Sequence, residues 1–565
     1  MIMSNKIIIY QVMTRLFGNT NDKLIQNGSI EQNGVGKFND FTDKALKEIK
    51  KLGTTHIWYT GVIEHATQTD YSKYGIRKDT PQIVKGKAGS PYAIKDYYDV
   101  DPDLATDVSN RMSEFEDMIA RTHKAGLKAI IDFVPNHVAR QYHSDKCPSD
   151  ATNFGANDNT RLSFSPNNNF YYIGNESFST KYISNIDGEI DYKEQPAKAT
   201  GNDCFTSSPS VNDWYETIKL NYGVDYLSGR EKHFSPTPDT WHKMLHILLY
   251  WAGKNIDGFR CDMAEMTPVE FWAWAIPQVK EHFPDILFIA EVYNPQEYHN
   301  YINIGKFDYL YDKVGLYDTL KDIICYRESA TAITNCWQSL GGIEQRMLYF
   351  LENHDEQRIA SNFFAVNPQR AIPALAVSAL MNTNPVMIYF GQEFGERGMD
   401  NEGFSGTDGR TTIFDYWSVD TIRRWINGGE YDDKLLTKEE KQLYKQYKKI
   451  LSMARKEKAI SDGLFFDLTY VNKGYKHFDE HRQYAFLRKY DNTLLVVAVN
   501  FSDDDKELHI NIPSHAFDYL KMQPIEQIEA KELISGKKEK VSLLPYSPLI
   551  TTVKAQNVKV IKIEL

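Results

Sequence analysis

Strand-like apolar runs alternate with helix-like segments from Lys6 to about Trp417. The pattern predicts eight strands, at Lys6–Thr14, His56–Val62, Lys128–Val134, Asp257–Asp262, Leu287–Val292, Phe307–Tyr311, Leu348–Asn353 and Val386–Gly391. The clearest helices are predicted at Ser113–Ala125, Pro268–Phe283 and Pro368–Met381. Alternating strands and helices indicate an α/β protein with a parallel sheet, and eight such units indicate a closed (β/α)8 TIM barrel.

One interval, between the third and fourth strands, is far longer than a single strand-plus-helix unit, which takes roughly 30 residues. The excess is rich in Asn, Ser, Asp, Gly and Tyr and has few long apolar runs. Because a structureless loop of that length is improbable inside a compact domain, we predict an inserted domain over residues 137–235. A shorter insertion, at about Ala66 to Asp96, follows the second strand. The barrel then takes residues 1–136 and 236–458.

The pattern changes after Trp417. A helix is predicted near Val419–Asn427, and a Lys/Glu-rich helix over about Thr437–Lys456. Short alternating strands follow, predicted at Phe465–Tyr470, Gln483–Tyr490, Thr493–Asn500, Glu507–Ile512 and Val558–Ile563. Such runs, broken by Asp-Asn and Ser-Asp turns, are typical of an antiparallel β-sandwich, here over residues 459–565.

Composition narrows the classes of ligand. The net charge of −11 argues against nucleic acid as a partner. The five cysteines are scattered and odd in number, which excludes a complete disulfide framework and argues against a metal cluster. No run of about 18 apolar residues is present, so no membrane span is predicted. The N-terminal apolar run is too short for a signal peptide. If the chain start is natural we expect a cytoplasmic protein, and a trimmed signal peptide would instead mean a secreted or periplasmic one.

Three acids, Asp262, Glu291 and Asp355, each lie at the end of a predicted strand. A parallel barrel brings the C-terminal ends of its strands to one mouth. Three carboxyls in one mouth suit glycoside hydrolysis, in which one acid attacks the sugar and another carries a proton. In a retaining enzyme the two carboxyls lie close together, and we predict a separation of roughly 5–6 Å between the carboxyl carbons of Asp262 and Glu291.

The surroundings of these acids suggest roles, and each has a structural alternative. Arg260 shares a strand face with Asp262 and would hold it ionised as a nucleophile, or the two form a buried structural ion pair. Glu291 ends an apolar strand, where desolvation would raise its pKa and suit a proton donor; it could equally be a capping or salt-bridged residue. His354 and Asp355 could hold sugar hydroxyls, or hydrogen-bond to each other and stabilise their loop.

Asn136 lies between the third strand and the predicted insertion, in the segment Asp132 to His137. Its side-chain oxygen could bind a hard cation such as calcium. An Asx turn that closes the strand explains the same residue equally well. Both interpretations stay open on the sequence.

Four of these segments resemble the signature regions of the alpha-amylase family, glycoside hydrolase family 13. They are Asp132-Phe-Val-Pro-Asn-His137, Gly258-Phe-Arg-Cys-Asp262, Ala290-Glu291 and Asn353-His-Asp355. Their order and spacing match, and the resemblance covers the barrel, the insertion and the C-terminal domain. It implies that Asp262 is the nucleophile, Glu291 the general acid/base and Asp355 the stabiliser of the transition state.

The resemblance also implies a set of substrate contacts: Tyr92, Asp132, His137, Arg260, His354 and Arg358. The ring of Tyr92 would stack on the sugar in the −1 subsite, which His137, Arg260 and His354 would also contact. Arg358 would line a more distant donor subsite.

The chain departs from the family pattern at two places. Lys219 precedes Leu220-Asn221, where the family usually has an Asp that commonly binds calcium. A lysine ammonium could take the cation's place, so no cofactor is expected to be required, and calcium at Asn136 is the alternative. Glu265-Met266 follows Asp262, where many amylases have Lys-His. Those positions touch acceptor sugars, so the acceptor preference is open.

The function expected from the resemblance is retaining hydrolysis of α-1,4-glucosidic bonds in starch, glycogen or maltooligosaccharides. The alternative is an α-glucan transferase with the same catalytic residues, because Ser90-Pro91-Tyr92 resembles the maltosyl-transferring branch. A remote alternative is a non-catalytic, amylase-like binding subunit. That class typically loses its acids, whereas all three are present here.

Overall fold

A closed barrel of eight parallel strands forms the centre of the protein, as a computed structural model that describes residues 6–183 and 192–565 shows. The strands are β1 Ile8–Met13, β2 His56–Thr60, β3 Lys128–Phe133, β4 Gly258–Cys261, β5 Leu287–Ala290, β6 Tyr309–Tyr311, β7 Met347–Phe350 and β8 Val386–Tyr389. Each strand pairs with the next along the chain, and β8 closes onto β1. The prediction of a TIM barrel is confirmed, and the observed strands mostly end one to three residues before the predicted ends.

Helices surround the barrel and pack on it through a large apolar core. Those of seven residues or more, up to the C-terminal domain, are Asp43–Lys51, Arg111–Lys124, Asp239–Ala252, Val269–His282, Asp318–Ile324, Ala332–Ser339, Ile372–Leu380, Asp420–Ile426 and Lys438–Lys456. The helix predicted at Pro368–Met381 is split, because Pro368–Ala371 is a 3₁₀ turn. Its α-helical part has Pro373 in the first turn, where a missing N–H costs nothing.

Apolar and aromatic side chains fill the inside of the barrel, so the barrel is solid and has no pore. This separate cluster includes Ile9, Trp58, Ile130, Ile289 and Tyr311. The guanidinium of Arg260 lies over two of its rings, 5.2 Å from the ring centre of Trp58 and 5.4 Å from that of Tyr311. The buried core therefore ends, at the mouth of the barrel, in a positive charge.

The insertion after β3 is built mainly from turns and short ladders. His137–Ala139 pairs with Thr217–Lys219, and Val224–Asp225 pairs with Glu231–Lys232. A small core of its own also takes in Ile83, from the insertion after β2. That earlier insertion is bounded by the antiparallel pair Ile63–His65 and Ile94–Val100. Residues 184–191 of the predicted inserted domain lie outside the described residues, and the domain boundaries stay predictions.

The C-terminal domain consists of antiparallel sheets. Its strands are β9 Leu464–Asp467, β10 Gln483–Tyr490, β11 Thr493–Asn500, β12 Lys506–Ile510, β13 Ile525–Glu532, β14 Lys538–Leu543, β15 Leu549–Val553 and β16 Asn557–Glu564. One sheet has the order β9-β10-β11-β16-β13-β14, and β12 pairs with β15. Helices Thr469–Asn472 and Ser514–Leu520 interrupt the strands. The antiparallel domain is confirmed, although the sequence analysis did not predict β13, β14 and β15.

Two buried cations lie near the end of one barrel helix, and one of them comes from the C-terminal domain. Helix Ile372–Leu380 is completely buried. Near its C-terminal end, the Lys6 ammonium donates to the carbonyl oxygens of Ala379 (2.5 Å) and Asn382 (2.6 Å). Arg488, on β10, donates to the carbonyl of Met381 at 3.1 Å. Cations at a helix C-terminus satisfy its free carbonyls and complement its dipole. Within the described residues, none of the helices combines the length and the apolar character needed to cross a bilayer.

Candidate active site

The predicted acids come together at the C-terminal ends of the barrel strands. Asp262 directly follows β4 and Glu291 directly follows β5. The register of these strands pairs Cys261 with Ala290, so the two acids leave neighbouring strands side by side. Together with Asp355, from the loop after β7, they line a pocket of about 320 Å³. Tyr92 and His137 line the same pocket.

Arg260 holds the two candidate catalytic acids with one guanidinium. Its Nη1 lies 2.7 Å from Asp262 Oδ1, and its Nη2 lies 2.8 Å from Glu291 Oε2. Asp132 lies further away, with Oδ1 3.7 Å from Nη1. Arg260 itself is 1% exposed. Nη1 donates a hydrogen bond to Asp262, and Nη2 holds Glu291 by charge attraction as an ion pair.

Glu291 accepts two further hydrogen bonds. The Tyr293 hydroxyl donates to Oε1 at 2.7 Å, and the backbone N–H of Met263 donates to Oε2 at 2.8 Å. Met263 has a left-handed backbone, with φ of 40°, which costs free energy for a residue other than glycine. The turn that follows Asp262 thus directs an N–H toward the neighbouring acid.

His354 is held in one tautomer. Gln11 Nε2 lies 2.9 Å from His354 Nδ1 and also donates to Thr60, so Nδ1 accepts and Nε2 carries the proton. Nε2 then faces Asp355 Oδ2 at 3.1 Å and the hydroxyl of Tyr92. Burial, and after it the Arg260 charge, hold the pKa of His354 well below its usual value. The imidazole is therefore neutral and presents an N–H to the pocket.

The acids interact too closely to titrate independently. Burial raises the pKa of Asp262, the Arg260 guanidinium opposes that rise, and the charge of Glu291 adds to it. Burial, followed by the charge of Glu291, raises the pKa of Asp355 to about 7. Burial likewise raises the pKa of Asp132 to about 6, against the attraction of Arg260. One guanidinium cannot balance all of these charges, so the pKa values of Asp262, Asp355 and Asp132 are all raised above the ordinary value of a carboxyl.

The structure does not bring every predicted contact into the pocket. Asp132, Arg260 and His354 are buried beside the residues that line it. Arg358 is 0% exposed and lies elsewhere, with its guanidinium on Glu352 Oε2 (2.9 Å) and the carbonyl of Phe390 (2.9 Å). It is placed to hold the loop after β7 rather than to touch a sugar.

Several pocket residues carry no sequence motif. They are Lys85, Trp214, Glu216, Met263, Tyr293, Ile413 and Phe414. Lys85 Nζ lies 3.0 Å from Glu216 Oε2, and the ring of Trp214 lies 5.2 Å from that of His137. Of these residues, Tyr293 could have been predicted from the sequence. It lies two residues after Glu291, and side chains at that interval share a face in an extended chain.

The Asn136 side chain is occupied by a lysine. Lys219 Nζ donates to Asn136 Oδ1 at 2.7 Å and lies 2.6 Å from Asp203 Oδ1. Asn136 Nδ2 donates to the carbonyl of Gly201 at 2.8 Å. Both Asn136 and Lys219 are 1% exposed. Calcium needs several oxygens around one point, and this donor set, with an ammonium on the amide oxygen, does not fit it. Among residues 6–183 and 192–565 no three His, Cys, Asp or Glu side chains are grouped to hold a metal.

Comparison with known proteins agrees with this geometry. The family model of the alpha-amylase catalytic domain matches residues 11–463. Alpha-amylase 3 of Dictyoglomus thermophilum is 23% identical over 81% of this chain and 78% of the relative. Cyclomaltodextrin glucanotransferase of Bacillus licheniformis is 22% identical, over 75% of this chain and 56% of the relative. The protein belongs to the alpha-amylase family of glycoside hydrolases.

Solved structures share the fold over the whole chain. The maltogenic alpha-amylase AmyB of Thermotoga neapolitana aligns with a TM-score of 0.62 and 18% identity, covering 99% of both chains. CldA, a cyclomaltodextrin glucanotransferase with three domains, aligns with a TM-score of 0.65 and 16% identity, covering 99% of this chain and 100% of the other. At these identities the likeness concerns the fold alone.

Proposed function

We propose that this protein is a retaining hydrolase of α-1,4-linked glucans and maltooligosaccharides. The observation that carries the proposal is the pair Asp262 and Glu291, placed side by side on Arg260 in an open pocket. Two carboxyls with different partners can take different roles, one as nucleophile and one as proton carrier.

The reaction takes two displacements. Asp262 attacks the anomeric carbon while Glu291 protonates the glycosidic oxygen. The leaving chain departs as the ester between Asp262 and the sugar forms. Glu291 then takes a proton from water, which attacks the ester and releases the sugar with its original anomeric configuration. Arg260 keeps the Asp262 carboxylate in place through both steps.

The remaining pocket residues bind and orient the sugar. The Asp355 carboxylate lines the pocket with His354 Nε2 3.1 Å from its Oδ2, and a carboxylate held in this way suits the hydroxyls of a sugar ring. Tyr92 offers an aromatic face and His137 a buried imidazole. The hydrogen bond from Tyr293 and the Met263 N–H keep Glu291 oriented toward the leaving oxygen.

The second candidate function is glucan transfer, in which a sugar hydroxyl replaces water in the second displacement. It is favoured by the relatives named as a glucanotransferase and a maltosyltransferase and by the Ser90-Pro91-Tyr92 segment, whereas the Glu265-Met266 pair leaves the acceptor preference open. Glu265 Oε2 accepts from the backbone N–H of Asn294 at 3.0 Å, so its turn joins the strand ends that carry both acids. A non-catalytic subunit is disfavoured, because all three acids lie in the pocket.

Product analysis on maltoheptaose separates these functions. Chromatography should give only shorter maltooligosaccharides from a hydrolase, and products longer than the substrate from a transferase. NMR of the first products should show the α anomer, which is the retaining outcome. The Asp262→Asn protein is the control, and a β anomer as first product would contradict the proposed mechanism.

A further inference from the structure

A second cleft, larger than the active-site pocket, lies between the barrel and the C-terminal domain. We infer that this interdomain cleft is a second binding site for an α-glucan chain, which anchors polymer away from the catalytic acids. The inference rests on the proposed function. The cleft has a volume of about 780 Å³, within the range of roughly 300–1,000 Å³ that ligand sites occupy. Trp337, Gln338 and Gln345 line it from the barrel side, and Phe466, Tyr470 and Tyr519 from the C-terminal domain.

The aromatic rings of the cleft are open to solvent. Tyr470 is 54% exposed and Tyr519 is 52% exposed. Both rings pack on Phe466, at 6.4 Å and 6.0 Å between ring centres. Phe466 therefore supports two tyrosines that stay exposed, and the Tyr470 hydroxyl is hydrogen-bonded to His515 Nε2. Amphipathic rings of this kind present apolar faces to the C–H groups of sugars and hydroxyls to their oxygens.

Two charged groups of the cleft, Asp467 and Arg488, are hydrogen-bonded to the protein. Asp467 accepts hydrogen bonds from Trp337 Nε1 (3.1 Å) and from Thr334 Oγ1 (2.6 Å). Arg488 donates to backbone carbonyls, including those of Met381 and Gly463. Glu344 lines the cleft and would repel an anion, as would the net charge of −11. A neutral, hydroxyl-rich ligand fits this lining, and a glucan is the neutral polymer that the proposed activity supplies.

The position of the cleft separates it from the chemistry. Gln345 lies shortly before β7, and Asn382 lies shortly before β8, so the cleft lies at the N-terminal end of the barrel strands. The catalytic acids follow the C-terminal ends of their strands. A chain bound in the cleft therefore lies outside the active site and raises the local concentration of polymer, as a second site on one molecule does.

Affinity electrophoresis tests the cleft. Gels with and without amylopectin are run on the Asp262→Asn protein, which cannot digest the polymer, and on the same protein with Tyr470→Ala and Tyr519→Ala. We expect the double change to raise the apparent dissociation constant for amylopectin about tenfold, from the loss of two stacking faces. The matched control, Tyr475→Ala with Tyr490→Ala, removes two tyrosines of the same domain that do not line the cleft and should leave retention unchanged.

Two further measurements keep the outcomes distinct. Gln338→Ala, an exposed change on the opposite wall, should also weaken retention, which guards against misfolding of the tyrosine variant. With Asp262 restored, the tyrosine changes should leave kcat/KM on maltotriose unchanged, because that substrate is too short to reach both sites.

Unchanged retention in the tyrosine variant, or equal loss in the control, overturns the inference. A wild type that elutes as a dimer, with a monomeric tyrosine variant, also overturns it, because the cleft is then an interface between copies. Tyrosine-dependent retention without cleavage of maltotriose leaves the cleft standing and refutes the proposed function instead.

Discussion

Both ends of the barrel bury positive charge, and they use it in opposite ways. At the mouth, Arg260 lies among carboxylates, and these raise its pKa well above the usual value against the effect of burial. At the other end, the hydrogen-bond partners of Lys6 and Arg488 within the described part of the chain are backbone carbonyls. Burial lowers the pKa of Lys6 well below its usual value and that of Arg488 to about 9. The difference indicates that Arg260 organises acids for chemistry, whereas the other two cations organise backbone for stability.

The largest expected effect lies at the mouth. Asp262→Asn keeps the shape of the side chain but removes the attacking negative charge. Loss of a covalent nucleophile should cost at least as much as loss of an acid–base group, so kcat should fall about 10³-fold or more. Steady-state kinetics on maltoheptaose measures the fall, and a melting curve checks folding. A variant that keeps more than about a tenth of wild-type turnover would show that Asp262 is not the nucleophile; one that melts early and loses binding would support a structural Arg260–Asp262 pair.

The second change acts at the opposite end. Arg488→Met leaves buried carbonyls of Met381, Ala459, Ile460 and Gly463 without their donor. Each unsatisfied group costs about 1–3 kcal/mol, and partial relaxation leaves an expected total loss of about 3 kcal/mol. Urea unfolding followed by fluorescence measures the loss, with kcat of the folded fraction near the wild-type value. Arg260→Met is the matched comparison. It should lower kcat of the folded protein strongly, whereas Arg488→Met should leave that kcat near the wild-type value. The contrast between the two ends fails if both variants lose activity to the same degree.

The third change sharpens the comparison within the mouth. Tyr293→Phe removes one hydroxyl that donates to Glu291 and keeps the ring. A hydrogen bond to a charged group contributes about 1.5–3 kcal/mol, and the Met263 N–H remains, so we expect kcat to fall about tenfold. KM for maltoheptaose should change little, because the hydroxyl orients the acid rather than the sugar. A rise in KM with unchanged kcat would place Tyr293 in substrate binding instead.

Glu393, near the mouth, has a tyrosine rather than a cation as its hydrogen-bond partner. Changing it should have a smaller effect, on stability, that depends on pH. Burial raises the pKa of Glu393 to about 7, although the Tyr10 hydroxyl donates to it at 2.6 Å. Because the folded protein has the higher pKa, its stability is greatest below the unfolded pKa and is lost as pH rises through about 7. Glu393→Gln is neutral at every pH, so its melting temperature should gain on that of the wild type between about pH 5 and about pH 8. A difference that does not change with pH would contradict the raised pKa.

The smallest expected effect concerns another buried cation, Lys219. Lys219 holds the Asn136 oxygen as a calcium ion would, so chelation should leave activity unchanged. Activity with EDTA, and with EDTA followed by excess calcium, measures this. Loss of activity with EDTA that calcium restores would show that a metal, rather than the lysine alone, supports this part of the pocket.

The regular parts of the molecule were predictable from sequence. Eight apolar runs at barrel spacing give the strands, and an acid at the end of a strand must lie at the mouth, which places Asp262 and Glu291. Trp214 and Lys85 come from insertions built of turns, where no period relates sequence to direction, so their place in the pocket could not be predicted. Strand β13 was missed because half of its residues are charged and half are exposed, so it gives little apolar signal. Arg358 was predicted to contact a sugar. Its guanidinium instead donates to Glu352 and to a backbone carbonyl, and these contacts could not be predicted from its position in the sequence.

The contact between Arg488 and the end of the helix at Ile372–Leu380 limits which C-terminal domains can be fused to this barrel. The catalytic family match ends at residue 463, so a fragment cut there would keep the whole active site and lose the arginine. Its barrel would carry open carbonyls at the end of a buried helix. A C-terminal domain taken from another protein must therefore bring a donor of the same reach to that spot. The C-terminal domain therefore completes the hydrogen bonding of the barrel and is not an independent unit in this respect.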